Sequence, residues 1–527
     1  MPLEFTIPPR LGAAEVLSEI RKKIHSSTDS TRTVRRTFYD SFDWRLFASD
    51  AVIEADVDGT DSPILIWRSL HDGAPPARIP VSGVVHFARD LPVGEFRNRL
   101  AHILEMRELI PLARIRSRIH TLRVLNKDEK TVARLVVEEN VLPRQRGSRS
   151  RKLDRRARVI PVKGYPKPCK EIVNLLEDLG LTAAPEDLLQ TTLSLLGKTP
   201  GDYSSKLDLR LDPDMRADQA TRIILHQLLD IMVVNEAGVR RGRDTEFLHD
   251  FRVAVRRTRS ALTQIKGVLP ARILDRYKAE FAWLGQATGP LRDLDVYLLK
   301  FDDYRNSLPD AMRAHIDPLR AFLLRHQRLE HQALVKSLNS ARYRRLLKNW
   351  RRFLEQPVSE RSTLANAQRP VLAVSCQRIR HVYKRILREG NTIEHDSPAS
   401  ALHELRKACK KLRYLMEFFQ CLYPEEEIRA LIRELKTLQD NLGDFQDYEV
   451  QVAALKRFGQ QMVDEDGVPA ETLLAMGMLI DGLEQRQHQA REEFAGRFAN
   501  FSLSKNQDKF RKLFTKRGPD RRESSGS

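Results

Sequence analysis

The sequence has little cysteine, no long apolar run and few aromatic residues among its basic ones, and each shortage excludes something. Its 527 residues include four cysteines, Cys169, Cys376, Cys409 and Cys421, with no C-x-x-C pair. That argues against a disulfide framework or a zinc knuckle and fits a reducing cytoplasm. No apolar run reaches the roughly 18 residues of a membrane span, and even "IILHQLLDIMVV" contains His226 and Asp230. The opening "MPLEFTIPPRL" lacks the basic-then-apolar order of a signal peptide, so the expectation is a cytoplasmic protein with no membrane partner. "GKT" at 197–199 is no P-loop, because Thr192 stands where the upstream glycine belongs.

Positive charge is abundant. Ninety Lys and Arg against 71 Asp and Glu leave a net charge of +19, which implies a polyanionic partner or surface. The length suggests several domains, and composition changes along the chain. "AVIEADVDGTDSPILIWRSL" (51–70) alternates around an Asp58-Gly59 turn, and 112–140 reads as two strands about a polar turn at 126–130, so antiparallel hairpins are expected. On the first strand of the second hairpin, period-two alternation puts Arg114, Arg116, Arg118 and His120 on one face. From 144 to 158, "RQRGSRSRKLDRRAR" holds eight basic residues and one Asp, the composition of a solvated basic loop. "KTPGDYSSKLDLRLDPD" (198–214) marks the domain boundary; beyond it, apolar spacing of three and four predicts long helices, ending in a disordered tail at 516–527.

The segment "HDFRVAVRRTR" (249–259) combines a packing face with a cationic one. At about 100° per residue, His249, Arg252, Arg256 and Arg259 fall within roughly an 80° arc, beside the arc of Leu248, Phe251, Val255, Thr258 and Leu262. Shifted by 154 residues, it lands on "HELRKACKKLR" (403–413): His249 on His403, Arg252 on Arg406, Arg256 on Lys410, Arg257 on Lys411, Arg259 on Arg413. The same offset aligns "LGQATGPLRDLDV" (284–296) with "LQDNLGDFQDYEV" (438–450). A register held over this length implies a duplicated helical unit, and so two bundles with approximate twofold symmetry. Like charges clustered twice cost stability, which favours a bound polyanion.

The H-x-x-R-x-x-x-[RK]-[RK]-x-R helix followed by L-G-D-x-x-D, present twice, resembles the CHAD domain over about 216–515, with repeats near 216–357 and 368–515; in the first copy Pro290 replaces the motif's Asp. The resemblance implies an all-α domain of two four-helix bundles that binds inorganic polyphosphate and associates with polyphosphate granules. The implied site is His249, Arg252, Arg256, Arg257 and Arg259 with His403, Arg406, Lys407, Lys410, Lys411 and Arg413.

Residues 1–205 resemble a CYTH domain, the triphosphate tunnel fold, through "FYDSFDWRL" (38–46), "ILIWRSL" and "DYSSKLDL" (202–209). The implied fold is an antiparallel β tunnel or barrel with helices, joined by a linker at 206–215, making the chain an α+β multidomain protein. Where that family opens E-x-E-x-K, this chain has Glu4, Thr6 and Pro8, so the metal-holding carboxylate pair is incomplete and no catalysis, metal or cofactor is expected. Arg114, Arg116, Arg118 and Lys206 remain candidates for phosphate binding in a degenerate tunnel. The alternatives are a nucleic-acid-binding protein, disfavoured because the basic helices offer only Phe251 and Tyr414 for stacking, and a metal-dependent triphosphatase acting through the N-terminal domain.

Overall fold

The computed structural model describes residues 3–59, 63–70, 76–144, 150–465 and 467–515, so part of the basic run (145–149) and the tail expected to be disordered (516–527) lie outside the described residues. The chain divides into two compact units, Met1–Ser204 and Ser205–Ser527. No helix among the described residues is long and apolar enough to cross a membrane.

The first unit is built on strands β1 (Glu4–Ile7), β2 (Ser26–Asp40), β3 (Ala51–Val57), β4 (Ile64–Ser69), β5 (Ala77–Pro80), β6 (Ile110–Leu125), β7 (Thr131–Leu142), β8 (Arg151–Lys152), β9 (Arg155–Pro161) and β10 (Thr182–Ala183). Among the described residues five α-helices accompany them: α1 (Ala13–Lys23), α2 (Arg45–Ala48), α3 (Glu95–Leu104), α4 (Pro166–Asp178) and α5 (Leu188–Leu195). Both hairpins read from the sequence form, β3 with β4 and β6 with β7. All strands pair antiparallel in the order β10-β1-β9-β7-β6-β2-β3-β4-β5, with β8 on β7. The order is open: among the described residues β10 and β5 end it without pairing to each other.

Alternation then sorts the side chains. One face of β2, β3, β4, β5, β6, β7 and β9 lines a single cavity, so the sheet wraps round it. On the opposite face, Phe5, Ile7, Leu135, Val137, Ala157 and Val159 pack with Val16, Ile20, Ile172 and Leu176 of α1 and α4. Ile53, Leu65 and Trp67 pack with Leu100 and Leu104 of α3.

The second unit is helical: α6 (Ala217–Arg241), α7 (Thr245–Gln264), α8 (Ala271–Ala287), α9 (Gly289–Leu299), α10 (Phe301–Asn306), α11 (Asp317–Leu338), α12 (Ala341–Glu355), α13 (Val371–Gly390), α14 (Ala399–Phe419), α15 (Glu425–Glu465), α16 (Ala470–Phe501) and α17 (Ser504–Leu513). Helices start at 217, 245 and 271 and again at 371, 399 and 425, in each case 154 residues later. The two series of helices differ at Pro290. Its ring lacks an N–H and would clash with the carbonyl four residues back, so α8 and α9 are separate helices. Asp444 occupies the corresponding place in α15, which runs unbroken. The halves also share a core: Leu294, Tyr297, Phe301 and Phe322 from the first pack with Leu455, Phe458, Met476 and Leu479 from the second.

Two glycines permit close packing of the helices. A Cβ on Gly238 would lie 2.1 Å from the Phe247 ring, and one on Gly390 would lie 2.0 Å from Phe498. Both rings belong to the core, so neither can swing clear. G390A and G238A are each expected to destabilise the protein by about 1–3 kcal/mol through overpacking, despite the better helix propensity of alanine. Denaturant midpoints equal to wild type would show that the rings yield.

Candidate functional site

The two basic helices are held by their apolar faces. On α7, Phe247, Phe251, Ala254, Val255, Ala261 and Leu262 are buried, and Asp244 caps the helix by accepting from the Glu246 N–H at 2.8 Å. On α14, Leu402, Leu405, Ala408, Cys409, Leu412 and Met416 are buried. The helices contact each other, which brings basic residues of both together.

The two histidines keep corresponding partners. Arg292 Nη2 lies 2.9 Å from His249 Nδ1, and 154 residues on His403 Nδ1 bonds the Gln446 side chain. Arg252 Nη1 donates to the Gly285 carbonyl at 3.1 Å and to Thr288 Oγ1 at 2.9 Å, with Asp293 among its charged neighbours. Arg406 Nη2 donates to Asp447, the counterpart of Asp293, at 2.8 Å. A Cβ on Gly289 would meet Arg252 Nη1 at 3.7 Å, and one on Gly443 would meet Arg406 Nη2 at 3.8 Å. Asp447 thus pairs directly with its arginine, whereas Asp293 acts on Arg252 through its charge alone. Asp295 is buried and bonded by Gln327 at 2.6 Å; burial raises its pKa to about 6.

The electrostatics show which cations meet. Burial, then Arg406, Arg256 and Arg413, bring Lys410 down to about 8 against the opposing pull of Asp447. Burial, then Arg256, takes Arg252 down to about 10. Arg252, Arg256, Arg406, Lys410 and Arg413 therefore form one cationic group drawn from both helices. Nε of Arg252, Arg257, Arg406 and Arg413 is buried without a hydrogen-bond partner. Other predicted residues are placed differently. Arg257 Nη2 is bonded to Glu417 at 2.8 Å, with Arg413 3.6 Å from the same carboxylate, so Arg257 links the helices. Lys407 is exposed and pairs with Glu404. Arg259 is exposed beside Gly285, and Lys411 is half-buried. Arg292, Asp293 and Asp447, which the sequence reading left outside the predicted site, belong to its surroundings.

In the first unit the cavity has a volume of about 430 Å³ and a charged wall. Buried Arg36 contacts Glu54 at 3.2 Å, Asp56 at 2.9 Å and Glu138 at 3.1 Å. Burial opposes its charge, but these carboxylates raise its pKa. Burial pushes Glu138 up and Arg36 and Arg158 outweigh it, leaving it at about 2. Arg68 bonds Glu54 and Asp187. Glu4 accepts from Arg156 Nη1 at 2.9 Å, and Thr6 Oγ1 is buried without a partner. Among the described residues no group of three or more His, Cys, Asp or Glu is placed to hold a metal ion. Arg114, Arg116 and Arg118 do not enter this cavity. The inward residues of β6 are Ile119 and Thr121, and alternation turns the three arginines to the other face, where all are exposed. Lys206 lies in the second unit.

Comparison with known proteins gives these findings. Residues 223–456 match the CHAD domain family model. Two uncharacterized proteins of Mycobacterium tuberculosis, one from each of two strains, are 26% identical over 279 residues, 50% of this chain. The chain spans about half (51%) of the length of these curated relatives. The crystal structure of the CHAD domain from the plant Ricinus communis is 28% identical, with TM-score 0.46, covering 56% of this chain and 95% of that one. A Hippeastrum protein described as an adenylyl cyclase with dominant triphosphatase activity is 11% identical, with TM-score 0.27, covering 38% of this chain and 97% of its own.

A polyanion placed at the cationic group would favour the charged form of Lys410. Its lowered pKa means that this contribution to affinity is full below about pH 8 and is lost as pH rises from there through the higher pKa of the complex. Titration calorimetry with polyphosphate in buffers of different ionisation enthalpy should detect proton uptake near pH 8, and K410R should remove it. Uptake unchanged in K410R would assign the proton to another group.

Proposed function

We propose that the CHAD domain carried by the second unit binds inorganic polyphosphate, and that this is the function of the protein. The supporting observation is the meeting of Arg252 and Arg256 of α7 with Arg406, Lys410 and Arg413 of α14, where the Nε groups of Arg252, Arg406 and Arg413 lack partners. A flexible chain with about one charge per phosphoryl group suits this arrangement, because arginine forks and a lysine point charge both grip phosphate oxygens. RNA is the lesser reading: Phe251 and Tyr414 are buried, so neither presents a ring to a base.

In this reading the domain spans 216–515 after a linker at 206–215, as two copies at about 216–357 and 368–515 with approximate twofold symmetry. The repeated helix starts and the corresponding partners of His249 and His403 support it. His249 and His403 orient their neighbours, while Arg257, Arg259, Lys407 and Lys411 add to the surrounding field. The first unit, 1–205, is a degenerate triphosphate tunnel without hydrolytic activity. Glu4 is engaged by Arg156, and Thr6 stands in the place of a second carboxylate. Polyphosphate granules are the proposed location.

The test is competition at fixed salt between long-chain polyphosphate and RNA of equal phosphate content, with and without Mg²⁺, with phosphate release followed. Preferential polyphosphate binding without release is expected. R256E/K410E should weaken binding more than about tenfold with helical content retained, and R256Q/K410Q should lower the log affinity against log salt slope by about two, by analogy with nucleic acid. Equal RNA binding, metal-dependent phosphate release or unchanged affinity in these variants would each overturn the reading.

A further inference from the structure

A second concentration of positive charge lies on the first unit, on the side of the sheet facing away from its cavity. Strands β2 and β6 pair so that Arg35 stands directly opposite Arg116, with Thr37 opposite Arg114 and Thr33 opposite Arg118. All four arginines are exposed. Like charges directly opposite on neighbouring strands destabilise a sheet, and among the described residues none of the four forms an ion pair that would relieve the repulsion. Glu139, opposite Arg118, lies 3.8 Å from Arg155 and 4.0 Å from His120.

The surface is also shaped. A depression of about 980 Å³ takes in Arg35, Arg114, Arg116 and Arg144. It continues through Arg116 and Val141 into a second of about 360 Å³, which takes in Arg118 and Lys152. Same-face residues on a strand repeat about every 6.7 Å, and directly opposite residues are about 5 Å apart. Arginine side chains are long enough to converge over such spacings, so the row offers a continuous track of hydrogen-bond forks. No described residue lining either depression is aromatic, so bases have nothing to stack on.

We propose that this outer face is a second binding site for linear inorganic phosphate chains, centred on Arg35, Arg114, Arg116 and Arg118. It differs from the cavity because the sheet itself separates the two, and it stands on strand register alone, whether or not α7 and α14 bind phosphate.

The experiment is calorimetric titration of the full chain with tripolyphosphate, short enough to occupy one site at a time, at fixed salt. The proteins are wild type, R35Q/R114Q/R116Q/R118Q, R256Q/K410Q and the combination. The sheet variant is expected to lose one class of site, with affinity at the other changed less than about twofold, and the combination to lose both. A sheet variant that titrates as wild type overturns the proposal. Loss of all binding in the sheet variant, with none in R256Q/K410Q, supports it while overturning the helical assignment. R35K/R114K/R116K/R118K guards against misfolding: it keeps the charge and should bind about 3- to 10-fold more weakly, since lysine lacks the fork. Abolished binding in a folded lysine variant would overturn the phosphate-chain assignment, as would single-stranded RNA displacing tripolyphosphate at equal phosphate concentration.

Discussion

Cations from α7 and α14 are forced together because the apolar faces of those helices must be buried. Phe251 and Leu412, fully buried on their respective helices, fix which sides turn inward, and the basic side chains are carried to the remaining faces. The resulting repulsion is restrained by carboxylates and carbonyls on the following helices: Asp447 for Arg406, and Gly285 and Thr288 with nearby Asp293 for Arg252. Glu417 adds a bridge by taking Arg257 from the other helix. These groups orient the guanidiniums without fully neutralising them.

The first unit handles charge in the opposite way along its cavity. Arg36 is surrounded by Glu54, Asp56 and Glu138, and Arg68 by Glu54 and Asp187. Removing one partner of such a buried group leaves uncompensated charge, which is far more costly than losing an exposed pair. Within one domain the two faces of the sheet thus differ in kind: inward arginines are largely answered by carboxylates, while Arg35 and Arg116 on the outer face confront each other.

Much of the helical unit was legible because duplication supplied a control that a single basic helix lacks. The offset of 154 foretold which residues take equivalent positions, and the partners of His249 and His403 obey it. Arg257 lies off the arc of Arg252 and Arg256, and its pairing with Glu417, which depends on a helix far away in sequence, could not be read from the segment itself. In the first unit the hairpins were readable from alternation and turn residues. Strand β2 was harder, since "SSTDSTRTVRRTFYD" shows little apolar alternation and owes its strand state to pairing with β3 and β6. Alternation also placed Arg114, Arg116 and Arg118 on one face, but only the register of the whole sheet tells which face encloses the cavity.

The core shared between the two halves of the helical unit has a consequence for how that unit comes apart. Tyr304 donates to Gln451 at 2.7 Å, and Tyr297 packs edge-on against Phe458 with ring centroids 5.3 Å apart, so neither half keeps its apolar surface covered by itself. Separation of the halves would put those rings in water. A fragment cut between these segments would expose that shared apolar surface, and it is expected to aggregate where the intact unit does not.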